Sequence, residues 1–438
     1  MKRGAITAIA ALGAATLASP GGAQVAAPPA VSAPLSETGV DLFYATHGNA
    51  SIWLKDAATR AAAGRLPAII RDDAALVEDA DLLAASVEDA LSRGQATDDK
   101  IISAAWVRFV RALKAPVRGI SYGDPALALH QPSAATVLGE AARSPSLAAH
   151  VDAVSRVNAF YSALREAAAN EKANDDRRVR ATLERLRIIP AKGRAILVDA
   201  ANARLWMLED GKPVDSMNVV VGRKTTPTPV VAGTIHYVTF NPYWHIPDDI
   251  ARRRVAPVVL KRGVSYLKLA RYVTAAGHSS SAELVDPVTI DWKAVAASTS
   301  PVYIRQLPGE HNMMGDMKFG FVNDFDIFLH DTPKDKAHMS MFAKPKRFFS
   351  NGCIRLEHAD RLARWILGRE PAAPAEGPEQ HVKLDQGVPV YVSYLTASVE
   401  DGRLTFAEDV YGLDAPAETD EPLVPVDTVA AASDSTQR

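Results

Sequence analysis

The sequence is poorest in cysteine: one residue in 438, Cys353, carries a thiol, so no disulfide can form within the chain. Charge of one sign is missing too. With 49 basic against 51 acidic residues the formal net charge is -2, which leaves no overall field to gather a polyanion, and nucleic acid is excluded as an expected partner. No stretch after the first twenty or so residues is long and apolar enough to cross a bilayer as a helix, so no stable membrane span is expected. Metal-ligand spacing is also lacking. His236, His245, His278, His311, His330, His338 and His358 form neither an H-E-x-x-H motif nor a His-x-His pair, which argues against a zinc peptidase and leaves no metal or cofactor expected.

What remains is ordinary globular composition, 47% hydrophobic and 23% charged, in a chain long enough for two or three domains. Met1-Lys2-Arg3-Gly4 place two positive charges before an apolar run from Ala5 to Ala18, which Pro20, Gly21 and Gly22 break. That is the layout of a secretory signal peptide over residues 1–23, with cleavage near Ala23 or Ala26. A retained anchor is the alternative, but the apolar run is shorter than the roughly 20 residues a span needs. Residues 24–36, rich in Ala, Pro and Val, read as a flexible leader.

From 37 to 190 the runs Asp73–Leu91, Asp99–Leu113, Ser144–Asn170 and Arg177–Leu186 carry apolar residues at three- and four-residue spacing, which predicts a helical scaffold domain. At Pro190 the texture changes. Arg194–Asp199, Leu205–Leu208 and Asp215–Val221, separated by Ala201-Asn202 and Asp210-Gly211, predict two consecutive hairpins. Thr234–Phe240, Val302–Gln306, Asp326–His330 and Val388–Leu395 are further strand candidates. The fold class expected is therefore α+β, a helical scaffold followed by a mostly β domain at 191–413. An insertion at about 248–300, carrying Arg252, Arg253 and Arg254 on a solvated helix face, is expected to cover the site like a lid. Residues 414–438 are acidic, polar and without period, and read as a disordered tail.

A lone cysteine is ordinarily a small buried hydrophobe; the neighbours of Cys353 point elsewhere. Ile327-Phe328-Leu329-His330-Asp331-Thr332-Pro333 reads as a strand that delivers His330 to a sheet rim, where Pro333 ends the ladder. Ser350-Asn351-Gly352-Cys353-Ile354-Arg355 then predicts a glycine-containing turn directly before a helix over Glu357–Leu367. Free N–H groups of that turn and helix start would favour a thiolate and an oxyanion, and a neighbouring imidazole would take the thiol proton. Ser350 and backbone carbonyls are the candidates for orienting His330.

His-Asp-Thr-Pro followed by Ser-x-Gly-Cys-x-Arg resembles the signature of the L,D-transpeptidases with a YkuD-type catalytic domain, in particular their YcbB-like periplasmic branch. The resemblance extends to Arg185-Leu186-Arg187, Val220-Val221-Gly222-Arg223, Thr226-Pro227-Thr228-Pro229, Phe240-Asn241-Pro242-Tyr243-Trp244 and Gly309, Asn312 and Gly315 before Lys318-Phe319, and covers about 175–413. It implies a periplasmic enzyme that cross-links peptidoglycan stem peptides, donor and acceptor, and that carbapenems inhibit. By the same resemblance Cys353 is the nucleophile, His330 the base, Ser350 and Gly352 parts of the catalytic turn, and Arg355 a substrate-positioning cation. Asn351, Asp331 and Thr332 flank these and are candidate substrate contacts, as are Tyr243 and Trp244, for which packing is the simpler role.

Two features depart from the family. Asn351 stands where a histidine is usual, which removes a second base. No peptidoglycan-binding module with paired Asp-Gly turns lies between Glu37 and Pro190, so substrate docking falls to the catalytic domain and its insertion. Three activities remain open on these residues: transfer to an amine, hydrolysis of the same bond as an L,D-carboxypeptidase or endopeptidase, and non-catalytic cell-wall binding.

Overall fold

The computed structural model describes residues 38–414. The expected signal peptide, leader and all of the tail except Asp414 lie outside the described residues. No described helix is long and apolar enough to cross a membrane.

The N-terminal part is helical. Its central helix, Asp98–Leu113, buries Ile102, Ala105, Trp106, Phe109, Val110 and Leu113, a stripe that recurs every three or four residues and so faces one way on a helix. At its first turn the buried Asp99 accepts the backbone N–H groups of Ile52 (2.8 Å), Trp53 (2.8 Å) and Leu54 (2.7 Å) and the hydroxyls of Tyr44 and Ser51. One carboxylate thus folds the preceding loop onto the helix.

Two of the expected helices differ. The one expected from Asp73 begins at Ala80, because Asp73 is drawn inward to Arg165 (2.9 Å) and the Tyr161 hydroxyl (2.6 Å). Ser144–Asn170 is two helices, Leu147–Ser155 and Ala159–Asn170. Val157 takes a positive φ of 55° and Asn158 caps the second helix by accepting the Tyr161 N–H at 2.9 Å, a polar local competitor that periodicity does not reveal.

Helix Arg177–Leu186 joins the two parts. Arg187 donates to the carbonyls of Ala112, Leu113 and Ala115 at the end of the central helix, satisfying groups that a helix terminus leaves open. Arg185 donates to the Tyr394 carbonyl (2.7 Å) and pairs with Asp414 (2.7 Å). Asp414 is buried there, so the ordered fold includes the residue at which a disordered tail was expected to begin.

The β part closes on itself. Strand Val231–Phe240 pairs with Met317–Phe321, then in order come Leu329–His330, Ile354–Leu356, Lys212–Gly222, Arg204–Glu209, Arg194–Asp199 and Gln380–Ser393, which pairs back with Val231–Phe240. Closure leaves no long free edge. The inward residues of each strand, among them Val198, Leu205, Val219, Val238, Phe319, Leu329, Ile354 and Val390, form one apolar core with the helix Ala359–Leu367 packed on it. Ser121–Tyr122, in a stretch where no strand was expected, adds in parallel at Val231–Ala232 and ties the helical part to the barrel.

The expected insertion is a subdomain with its own sheet and core. Strands Trp244–Ile246, Tyr303–Gln306, Tyr272–Ala275 and Leu284–Val285 pair in that order, and Ile246, Val255, Val259, Trp292, Val295 and Ile304 pack beneath them. The strand expected at Val302–Gln306 therefore belongs to the insertion, whose span widens to about 244–306. Arg253 and Arg254 are exposed on its helical segment, as a solvated face requires.

Replacing Asp99 by alanine strands three backbone N–H groups in a buried place, at about 1 kcal/mol or more each. Asp99→Ala is expected to lose roughly 3 kcal/mol of stability in the helical part. Denaturant unfolding followed by tryptophan fluorescence checks this, and an unchanged midpoint would show that the loop is held by other contacts.

Candidate active site

The site is assembled by the barrel's register. Leu329–His330 and Ile354–Leu356 are neighbouring parallel strands, with Leu329 opposite Ile354 and His330 opposite Arg355. Leu329, Ile354 and Leu356 point into the core. Because side chains alternate along a strand, His330 and Arg355 point to the other face, and so do Phe328 and Cys353 one position earlier. The nucleophile and base candidates therefore share one face of adjacent strands. On the far side of His330, Met317–Phe321 runs antiparallel with Lys318 opposite His330, and Thr239 and His381 continue the row. Arg355, His330, Lys318, Thr239 and His381 form a polar band across five strands.

The expectation of a helix directly after the cysteine is corrected by this arrangement. Ile354–Leu356 is a strand, and the helix starts only at Ala359. Apolar Ile354 and Leu356 gain more by filling the barrel than by continuing a turn, so the helix begins six residues after Cys353 and the cysteine turn is not itself the helix start.

The cysteine turn is fixed from within. Ser350 Oγ donates to the Cys353 carbonyl (2.6 Å) and accepts the Gly352 N–H (3.1 Å). Thr228 Oγ1 donates to the Gly352 carbonyl (2.7 Å) and accepts the Gly222 N–H (2.8 Å), while Tyr411 donates to the Gly222 carbonyl (2.6 Å). Gly352 has φ +122°, a conformation that side chains other than glycine's rarely adopt. Ser350 thus holds the turn and does not orient His330. Since the Gly352 N–H is taken, the Cys353 N–H is left as a donor of the turn without a partner among the described residues, placed to receive an oxyanion.

His330 is oriented by its own neighbour's backbone: Nδ1 lies 2.6 Å from the Asp331 carbonyl. A carbonyl only accepts, so Nδ1 carries the proton and Nε2 keeps its lone pair. Burial, then the charge of Arg355, pushes the imidazole down to about 3, with Lys318 acting in the same direction; the carbonyls of Asp331 and Met314 oppose them. Burial pushes the Cys353 thiol up, against the pull of the Phe328 backbone, Lys318 and Arg355. At neutral pH both partners rest uncharged. The thiol, whose sulfur lies 4.0 Å from the Asp326 carbonyl, and the neutral imidazole share one face, and charge separates only as the reaction begins.

The remaining candidates divide. Arg355 is half-buried, has no carboxylate partner among the described residues, and its Nη1 lies 3.9 Å from Met341 Sδ; burial pushes its guanidinium down. It is a cation held ready for an anion. Asn351 is exposed at the rim. Asp331 and Thr332 are both 1% exposed, which corrects their place as substrate contacts. Asp331 accepts the Asp316 N–H (3.0 Å) and pairs with Lys334 (2.6 Å), and Thr332 donates to the Leu356 carbonyl (3.1 Å), so their polar groups are used in building the site.

Tyr243 and Trp244 sit where the insertion leaves the barrel. Trp244 packs on the insertion's core and meets Tyr272 edge-on. Tyr243 donates its N–H to Glu379 (2.7 Å) and has the Arg305 guanidinium 4.8 Å from its ring centre. Lys318 and Thr228 fell within the resembling segments but were given no role from sequence, and the Asp331 carbonyl was not named. For Lys318 the available signal was alternation in Met317-Lys318-Phe319, which Gly320 obscures.

Residues 193–392 match the family model of the YkuD L,D-transpeptidase catalytic domain, and residues 38–167 match that of a Scaffold domain. A Haemophilus influenzae protein named "Putative L,D-transpeptidase" is 27% identical over 252 residues, 56% of this chain and 50% of that protein. The chain thus spans about half the length of the curated relative it matches. Among solved structures, an L,D-transpeptidase from Mycobacterium smegmatis is 13% identical, with 46% of this chain and 59% of that one covered and a TM-score of 0.22. L,D-transpeptidase 3 from Mycobacterium tuberculosis, solved in complex with a faropenem-derived adduct, is 16% identical over 46% of this chain and 61% of its own, with a TM-score of 0.21. The chain thus carries, at residues 193–392, a match to the YkuD L,D-transpeptidase catalytic domain, preceded by a match to a Scaffold domain at 38–167.

Proposed function

We propose that this chain is a peptidoglycan L,D-transpeptidase that works through a Cys353 thioester. The observation that carries the proposal is the parallel pairing of Leu329–His330 with Ile354–Arg355, which gives Cys353 and His330 one face. His330 Nε2 takes the thiol proton as the sulfur attacks the carbonyl of the L,D peptide bond in a donor stem. The carbon–sulfur bond forms, and negative charge on the carbonyl oxygen is met by the Cys353 N–H. The carbon–nitrogen bond then breaks, and the departing D-alanine amine takes its proton from His330. A side-chain amine of the acceptor stem attacks the thioester, gives a proton to His330, and the thiol is restored.

Arg355 is proposed to position a stem-peptide carboxylate, since its own charge is not spent on a protein partner. Burial of His330 favours the neutral base over a standing imidazolium. The cost is that charge must form during attack, so the donor to the oxyanion carries much of the stabilisation, typically about 10²- to 10³-fold for one such group. A location in the periplasm is part of the proposal and rests on the signal-like residues 1–23.

With purified disaccharide tetrapeptides as donor and acceptor, wild type is expected to make cross-linked dimers. Cys353→Ala and His330→Gln are each expected to lower product by about 10³-fold or more. Liquid chromatography with mass detection separates transfer, hydrolysis and inactivity, and preincubation with a carbapenem is expected to block the products. Undiminished dimers from Cys353→Ala would exclude it as nucleophile.

The pH dependence has a definite sign. His330 stays neutral down to about 3 and burial raises the Cys353 thiol. Alkylation of Cys353 by iodoacetamide should therefore climb into the alkaline range with no inflection near the ordinary histidine value of about 6.5. A step at that pH would mean that a standing thiolate–imidazolium pair exists.

A further inference from the structure

Lys318, which the resemblance includes in Lys318-Phe319 without giving it a role, is the second cation on the reactive face beside Arg355. Phe319 fills the barrel core and Lys318 points the other way, directly opposite His330 in the ladder and opposite Thr239 on its other side. Its ammonium stands over the ring of Phe328, 4.1 Å from the centroid. The registers place Phe328 beside Cys353, one step before the pair Leu329 and Ile354. A lysine at a protein surface ordinarily finds water or a carboxylate. This one is half-buried, and among the described residues no carboxylate lies within ion-pairing distance of it.

We propose that Lys318 is a positioning residue of this site, its ammonium anchored on Phe328 so that its field favours negative charge on the Cys353 sulfur. The proposal rests on Cys353 being the nucleophile. An aromatic face holds a cation without neutralising it, whereas an ion pair would cancel most of the field at the sulfur.

The groups that face these two residues fit such a role. Cys353 feels Lys318 from two strands away, across Leu329–His330, Arg355 from its own strand and, with opposite sign, Asp326 from the loop before Leu329–His330. Lys318 in turn feels Glu379, then Cys353, then Asp326, all of which keep it charged against the burial that pushes it down. His330 and His245 both feel its positive charge, which disfavours their protonated forms. Lys318 therefore pushes one way at both partners: it favours sulfur as an anion and keeps the imidazole neutral and able to accept a proton.

A nearby opposite charge typically shifts an ionisation by about one unit or more. The experiment compares the full-length wild type with Lys318→Met and Lys318→Arg. Each is alkylated with iodoacetamide between pH 6 and 10.5, with circular dichroism to confirm folding. Lys318→Met is expected to react about tenfold more slowly at pH 8, with its profile displaced to higher pH, and Lys318→Arg to recover most of the rate. A folded Lys318→Met whose profile overlays wild type would overturn the proposal and leave Lys318 as packing on Phe328. If Lys318→Met does not fold, Lys318→Arg alone decides: a profile close to wild type supports a charge role, and a loss as large as tenfold contradicts it. Alkylation needs no turnover, so a protein that alkylates as expected but forms no cross-links counts against the transpeptidase proposal alone.

Discussion

Everything at this site depends on two short parallel strands being held in one register. Leu329–His330 and Ile354–Leu356 are only two and three residues long, too short to stay paired alone. They keep their register because the strands on either side are themselves locked, Met317–Phe321 beside His330 and Lys212–Gly222 beside Arg355. A slip of one residue would turn Leu329 and Ile354 out to solvent and bury His330 and Cys353 in the apolar core. The hydrophobic effect that fills the barrel is thus the force that aims the histidine and the cysteine.

The same burial sets the chemistry. Partly desolvated groups are expensive to charge, so thiol and imidazole rest neutral while the cations around them, Arg355 and Lys318, have no carboxylate partner among the described residues. Such a face is poised to accept negative charge and resists positive charge. That suits the tetrahedral oxyanion of acyl transfer, and it suits a substrate that brings carboxylates. Glu379, the acidic group nearest to balancing Lys318, also fixes the Tyr243 backbone and so joins the barrel's polar band to the root of the insertion.

Much of this was legible in sequence and some of it could not be. The change from helical to strand periodicity at Pro190, the hairpins around Ala201-Asn202 and Asp210-Gly211, and the strand ending on His330 followed from local patterns. The short strand between the cysteine turn and the helix expected over Glu357–Leu367 did not, because Ile354-Arg355-Leu356 is too short to announce its period and is extended by pairing with residues far away in the chain. Asp331 and Thr332 looked available for substrate since polar residues beside a catalytic histidine usually are; tertiary hydrogen bonds consume them. Lys318 carried no role in the resembling Lys318-Phe319 because its importance lies in which strand lies beside it, a fact of topology that no local window contains. Asp73 shows the same limit in the helical part, where a distant arginine, Arg165, takes it out of a helix that periodicity would extend.

The most direct test of the central claim is to trap the acyl-enzyme. The protein is mixed with a tetrapeptide donor and no acceptor, quenched in acid and mapped by proteolysis and mass spectrometry. The account predicts a tripeptide acyl group on the fragment carrying Cys353 in wild type, and none in His330→Gln over the same interval. Acylation of Cys353 at an undiminished rate without the His330 imidazole would contradict it, as would an acyl group found on any other side chain.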